Sequence, residues 1–179
     1  MEEFDIAIIG GGPAGIMAAI AASADLNVVL LEKNSSLGSK LLITGGGRCN
    51  ITNGKPIKKL LNSFHDKNFL KHSFYTFTNE MLLDLFRNRG LDFIVEDNNR
   101  VFPETEKSQD ILAILKYYLK DITIKYNYEV SDIKKEDNFI INNDIIAEKV
   151  IIATGGATFP KTGSTGDGYY LTDNPVTDI

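Results

Sequence analysis

Phe4-Asp5-Ile6-Ala7-Ile8-Ile9-Gly10-Gly11-Gly12-Pro13-Ala14-Gly15 decides the fold of this 179-residue chain. The first six residues read as a buried strand, the glycines as a tight turn, and the Ala-rich stretch through Ala22 as a helix. Gly10, Gly12 and Gly15 stand at the spacing of the dinucleotide fingerprint. Its first glycine makes the sharp turn, its second lets backbone approach a pyrophosphate, and its third lets helix pack close to sheet. The helix opens at Pro13, and the unpaired N–H groups of its first turn, from Ala14 onward, suit an anion.

Working outward, a second apolar strand runs from Asn27 to Leu31 and ends in Glu32-Lys33. Glu32 lies 17 residues past Gly15, about where the fingerprint's ribose-binding acid belongs. A carboxylate there accepts hydrogen bonds from ribose hydroxyls and repels a 2′-phosphate. Near the other end, Lys149-Val150-Ile151-Ile152-Ala153 is an apolar run suited to a central parallel strand, and it ends in Thr154-Gly155-Gly156. Two glycine turns at the carboxyl edge of one parallel sheet are where open α/β folds bind ligands.

A further cluster, Thr44-Gly45-Gly46-Gly47-Arg48-Cys49-Asn50-Ile51-Thr52-Asn53, follows a polar loop. Three consecutive glycines suit a backbone that must come close to something. Arg48 supplies fixed charge and planar donors suited to a phosphate. Asn50 and Asn53 can tie the loop to its own backbone. Cys49 is read as a structural or cofactor-packing residue ahead of a catalytic one, although the neighbouring arginine would favour a thiolate.

Between these motifs, residues 56–90 look helical in pieces, with Met81, Leu82, Leu85 and Phe86 at helical spacing. Phe64, Phe69, Phe74, Tyr75 and Phe77 are read as core. Residues 92–95 read as a short strand. A helix is expected from Ser108, as cap, to about Lys120, with Ile111, Ile114, Leu115 and Tyr118 inward. Residues 122–126 then alternate as a strand, and extended pieces at 128–133, 139–141 and 145–146 suggest an antiparallel meander. The expected class is α/β: a Rossmann-like, mostly parallel sheet whose last crossover is a β-meander instead of a helix. Its expected strand order is 122–126, 28–31, 5–9, 150–153. The chain is read as one dinucleotide-binding domain, 1–179, with a mainly helical excursion at 54–110.

Composition bounds the rest. A net charge of −5, with 19 basic and 24 acidic residues, gives no invitation to nucleic acid or an anionic membrane. Lys55, Lys58 and Lys59 are read as a solvated helix face, without interleaved aromatics. One cysteine excludes an internal disulfide, and His65 and His72 suggest no metal site. Residues 6–22 are apolar, but acidic flanks and central glycines argue against a signal peptide. A cytoplasmic protein is the expectation.

Together, Asp5–Gly15, Gly38–Asn53, and Ala153–Gly156 running into Gly163-Ser164-Thr165-Gly166-Asp167-Gly168 resemble the aminoacetone-oxidase-like, BaiN-like FAD-dependent oxidoreductases of bacteria and archaea. Arg100-Val101-Phe102-Pro103 is similar to a segment of the same family. The resemblance implies non-covalent FAD and flavin-mediated hydride transfer, with NAD(P)H as a candidate donor and a small molecule as substrate. Gly10, Gly12, Pro13, Ala14 and Gly15 would then lie on the pyrophosphate, and Glu32 with Lys33 by the adenosine ribose. Lys40, Gly46, Gly47, Arg48, Cys49 and Asn50 would lie near the phosphates and flavin. The Val130 backbone would meet the adenine, and Ala153, Thr154 and Gly155 would underlie the ADP half. Family members are longer, with further domains after the Gly-Asp-Gly segment, so the chain is expected to be the amino-terminal part of a larger enzyme. Two alternatives stay open: an NAD-binding dehydrogenase domain, and a truncated FAD-binding fragment without activity. No catalytic acid or base stands out.

Overall fold

A computed structural model describes residues 1–172 of the chain. The tail 175–179, where the longer relatives would continue, lies outside the described residues. The chain divides into two compact units, residues 1–41 with 115–179, and residues 42–114.

In the first unit, β1 (Glu2–Ile9) leads through the glycine turn into α1 (Pro13–Ala22) and β2 (Val28–Leu31). Ile6 to Ile9 and all of β2 are buried, so side chains on both faces of these strands are covered. That explains the unbroken apolar runs, since a parallel strand sandwiched on both faces has no polar alternation. Later elements of this unit, numbered by their place in the whole chain, are β6 (Thr123–Lys125), β7 (Ile133–Lys135), β8 (Phe139–Ile141), β9 (Ile145–Ile152) and α6 (Asp167–Leu171). The sheet order is β6-β2-β1-β9-β8-β7. β6, β2, β1 and β9 run parallel, and β7 and β8 are antiparallel. Strand order and meander crossover are as the sequence predicts. One face carries a core of Ala7, Ile9, Val29, Leu31, Val130, Ile141, Ile145 and Ala147.

Two details differ. The expected third meander piece and the last parallel strand are one strand, β9. It pairs with β1 along its length but with β8 only at Ile145–Ala147. Its second half is therefore an edge, and Glu148, Lys149 and Ile151 are exposed there. The expected strand at 128–133 is irregular until Ile133.

The second unit holds β3 (Thr52–Asn53), α2 (Ile57–Leu61), α3 (Lys67–Thr76), α4 (Asn79–Arg87), β4 (Phe93–Glu96) and β5 (Arg100–Pro103). Its small antiparallel sheet has the order β3-β5-β4. Asn53 Nδ2 donates to the Asn98 carbonyl, and buried Asn79 Nδ2 donates to the carbonyls of Asn53 and Lys55. Thr78 caps α4, but the buried stripe is Leu83 and Phe86, whereas Met81 is exposed. The aromatic reading is overturned more sharply. Phe64, Phe69, Tyr75 and Phe77 are all exposed and Phe74 is half-buried; α3 buries no residue. α5 (Ser108–Tyr118) carries the chain from the second unit back to the first. Its buried stripe is Ile111, Leu112, Leu115 and Leu119; Ile111 and Leu115 lie inward as expected, whereas Ile114 and Tyr118 are half-buried. Ser108 Oγ donates to the Leu42 carbonyl rather than accepting as a cap.

Candidate nucleotide site

In the first unit, the carboxyl ends of β1, β2 and β9 surround one cavity. Its lining includes Gly10 to Ala14, Leu31 to Asn34, Gly38 to Lys40, Tyr128, Val130, Ala153 to Gly155, and Thr162 to Ser164. After β1 the chain winds through β2 to β6, then returns on the other side of β1 as β9. The strand order reverses between β1 and β9, the place where open α/β sheets take ligands.

The glycines of the first turn have different reasons to be glycine. Gly10 has φ +107°, and a Cβ there would stand 2.5 Å from the Ala153 carbonyl oxygen. The first and third glycine clusters of the sequence thus meet. A Cβ on Gly15 would stand 1.9 Å from the Gly10 carbonyl oxygen. Gly12 is unlike both. It has ordinary extended backbone at φ −78°, and a Cβ there would meet nothing within 4 Å. Neither packing nor conformation requires a glycine at Gly12, although it lines the cavity. It is the N-cap of α1, where no side chain caps the helix and the first turn holds no acid. The exposed N–H groups and helix dipole there favour an anion.

Glu32 is buried, and its two oxygens accept from the backbone: Oε2 from Gly11 N–H at 2.7 Å and Oε1 from Asn34 N–H at 2.7 Å. Each oxygen keeps a second lone-pair direction, so the carboxylate can still receive ribose hydroxyls. Lys33 Nζ donates to Asp167 Oδ2 at 2.5 Å and to Thr165 Oγ1 at 2.6 Å, which clamps the 163–168 loop. Burial pushes the Asp167 carboxyl up, but the bonds from Lys33 and Thr165 outweigh it and hold the group below its ordinary value. Lys40 Nζ donates to Thr158 Oγ1 at 2.7 Å. Thr154 Oγ1 accepts from Gly168 N–H at 3.0 Å. Val130 is buried, and its N–H and carbonyl have no hydrogen-bond partner among the described residues. Buried backbone groups left that way expect a partner.

Asn34, Gly38, Ser39, Tyr128 and Thr162 to Ser164 also line this cavity and are absent from the sequence-based candidates. The glycines at 38 and 163 were the available signal. Tyr128 had none. Burial, then its bond to Asp144, raises its phenol above the ordinary range.

Gly46, Gly47, Arg48, Cys49 and Asn50 belong to the second unit. There Arg48 lies 4.1 Å from the Phe102 ring centroid and pairs with Glu96 at 2.6 Å and Glu106 at 3.0 Å. Glu96 and Glu106 take the Nη1 donors and Glu96 also one Nη2 donor. Cys49 is buried at φ +62°, and burial pushes its thiol up in spite of a bond from Thr44. Burial thus works against the thiolate that the neighbouring arginine would favour. Asn50 is exposed, and its side chain makes no hydrogen bond among the described residues. Among the described residues no helix is long and apolar enough to cross a membrane.

Set beside known proteins, residues 4–179 match the sequence profile of the HI0933-like protein Rossmann domain. The chain is 33% identical over 175 residues to a 3-dehydro-bile acid delta(4,6)-reductase of Clostridium scindens, covering 93% of this chain and 42% of that one. It is 30% identical over 181 residues to a ribosomal RNA dihydrouridine synthase of Escherichia coli, covering 97% and 44%. Among solved structures, the open conformation of a flavocytochrome c3 fumarate reductase shares the fold, with a TM-score of 0.69 at 20% identity over 96% of this chain and 40% of that one.

Proposed function

This chain belongs to the HI0933-like Rossmann-domain family, and from that premise we propose that it holds FAD non-covalently as part of a flavin-dependent oxidoreductase. The observation that carries the proposal is Gly12: a glycine on the cavity wall that neither packing nor φ demands. A pyrophosphate seated on the α1 N-terminus demands it, because any side chain would stand between backbone and ligand.

The other parts follow. Gly10, Pro13, Ala14 and Gly15 shape the phosphate turn. Glu32 accepts from the ribose hydroxyls. The unpartnered Val130 N–H and carbonyl offer a donor and an acceptor to the adenine edge. Ala153, Thr154 and Gly155 bring bare backbone to the ADP half. Lys33 serves by holding the 163–168 loop, since its ammonium is already paired. A cavity of about 220 Å³ takes one end of a dinucleotide rather than the whole. Segment 46–50 enters through the family resemblance, with Arg48 positioning that segment.

Bound FAD supplies hydride transfer, with NAD(P)H as the proposed donor. The two relatives' names point to one reactive group. A 3-oxo-Δ4,6 steroid and a uracil ring both carry a carbon–carbon double bond conjugated with a carbonyl. We take that group as the substrate class, and the cytoplasm as the setting. The chain spans about two-fifths of those relatives' lengths. The proposal therefore gives it the nucleotide half of the site and leaves the substrate half to further domains.

The test is direct. Purified chain should be yellow, release FAD on denaturation, and rebind it with quenching of flavin fluorescence. Colourless protein that ignores added FAD sinks the reading. Tight NADH binding without FAD affinity would favour a nicotinamide-only domain instead.

A further inference from the structure

Residues 155–167 leave the carboxyl end of β9 and come back to it. The neck of this excursion is one bond, from Gly168 N–H to Thr154 Oγ1 at 3.0 Å. Gly155 and Gly166 beside the neck are left-handed, at φ +75° and +84°. Within the excursion the chain orders itself. Phe159 and Ser164 pair as an isolated antiparallel bridge, and Gly163 N–H donates to the Pro160 carbonyl. A short loop with a closed neck and its own internal bonds is an Ω-loop.

Little else holds it. Among the described residues no backbone–backbone hydrogen bond joins 155–166 to the rest of the first unit. The loop buries only Ser164 and Gly166, so no apolar side chain anchors it. Its attachments are polar side chains from one short stretch. Lys33 Nζ donates to Asp167 Oδ2 and Thr165 Oγ1, Asn34 Nδ2 to the Thr162 carbonyl, and Lys40 Nζ to Thr158 Oγ1. That stretch follows β2, the loop follows β9, and β1 lies between them in the sheet. The loop therefore crosses the carboxyl end of β1 and places Thr162, Gly163 and Ser164 in the cavity wall. Solvent reaches the main attachment, since the Lys33 and Asp167 side chains are 23% and 26% exposed. A segment with few buried apolar contacts and accessible bonds opens at low cost.

Ser164 supplies a reason to close. It is 7% exposed and lines the cavity. Its hydroxyl makes no hydrogen bond among the described residues and is not sealed off, so it is free to meet a ligand oxygen. Buried hydroxyls left that way expect a partner.

We propose that residues 155–167 are a hinged strap over the nucleotide, latched by Lys33 and Asp167. The strap opens for the dinucleotide to enter or leave, and brings the Ser164 hydroxyl onto it when closed. The inference rests on the proposed function for the nucleotide, and adds how the site admits and keeps it.

The full chain, stripped of flavin, is tested by stopped-flow FAD binding and by amide hydrogen exchange of residues 157–166, alone and with FAD or ADP in excess. Both ligands should slow that exchange. Lys33→Met and Asp167→Asn break the latch while shifting the charge beside the cavity in opposite directions. Both should raise FAD association and release by about tenfold each, with Kd little changed, and quicken exchange in the unliganded chain by a similar factor. Ser164→Ala keeps the latch, so it should raise release alone, by about fivefold. Latch variants that quicken release only, that move in opposite directions, or that leave exchange as it was overturn the strap and leave the flavin reading in place. So does FAD binding that leaves wild-type exchange unchanged. Failure of both latch variants to fold also overturns the strap, because a latch on a loop without an apolar anchor is dispensable to the fold. Exchange slowed by ADP in a chain that does not bind FAD removes the flavin reading and keeps the strap. A chain that binds neither ligand overturns both.

Discussion

The glycine turn at residues 10–15 and the one at residues 45–47 look alike in sequence, yet the structure holds them for different reasons. In the first, Gly10 and Gly15 are squeezed by backbone, and Gly12 faces open space with ordinary backbone angles. In the second, all three glycines are left-handed, at φ +57°, +69° and +88°, so conformation alone accounts for them. The first turn also leaves its helix end uncapped, while the arginine beside the second is held by two acids. Spacing of glycines thus identifies a turn. The space around each glycine identifies which one faces a ligand.

That contrast can be broken most forcefully inside the first turn. Gly15→Ala drives a methyl into the Gly10 carbonyl, which is backbone and cannot step aside. We expect a loss of about 3 kcal/mol or more in urea unfolding. Gly12→Asp should do the opposite to the fold and more to the ligand. Aspartate is a favoured N-cap and complements the helix dipole, so stability should hold or rise by up to ~1 kcal/mol. Its charge sits where a pyrophosphate would, so FAD affinity should fall by about 100-fold or more, roughly 2.7 kcal/mol. Gly12→Asp that unfolds the chain, or that binds FAD normally, would end the distinction between packing glycine and ligand glycine.

Glu32 sharpens the comparison at smaller cost. It links the ligand wall to the fold, since the same carboxylate that would meet ribose holds two backbone N–H groups. Glu32→Gln keeps the shape and one acceptor, but turns a donor against the other N–H. We expect a loss of about 1.5–3 kcal/mol in stability and weaker FAD binding together. Weaker binding with stability untouched would mean the two backbone bonds carry nothing.

Much of this was legible beforehand. The order of β6, β2, β1 and β9 followed from the apolar runs and from the strand–turn–helix–strand fingerprint that opens the chain. The continuity of β9 was not, because Glu148-Lys149 reads as a break. Those residues are tolerated because β8 stops pairing at Ala147, leaving an edge that welcomes charge. The exposed rings of α3 were misread because hydrophobicity reports what could be buried, not what has a partner. Gly12 and Glu32 were found by spacing. Tyr128 and Asn34 were not, since they reach the cavity wall by the path of loops that carry no motif. The double duty of Glu32 needed coordinates as well.

The remaining contrast concerns Arg48, whose charge the sequence offers to a phosphate and the structure gives to Glu96 and Glu106. The bond from Arg48 holds the Glu96 carboxyl below its ordinary value, against the opposing effect of burial. A depressed folded-state carboxyl stabilises the fold above its unfolded pKa, about 4.3 for glutamate, and that stabilisation disappears as pH falls through the lower folded value. Arg48→Met keeps an apolar stem over Phe102 and removes the charge. The wild-type advantage in urea midpoint over this variant should therefore be full near neutral pH and shrink toward zero in acid. FAD affinity should be the same in both proteins, because a guanidinium already shared by two carboxylates has little left for a pyrophosphate. An acid limb that does not change, combined with FAD binding weakened by about tenfold or more, would return Arg48 to the phosphate.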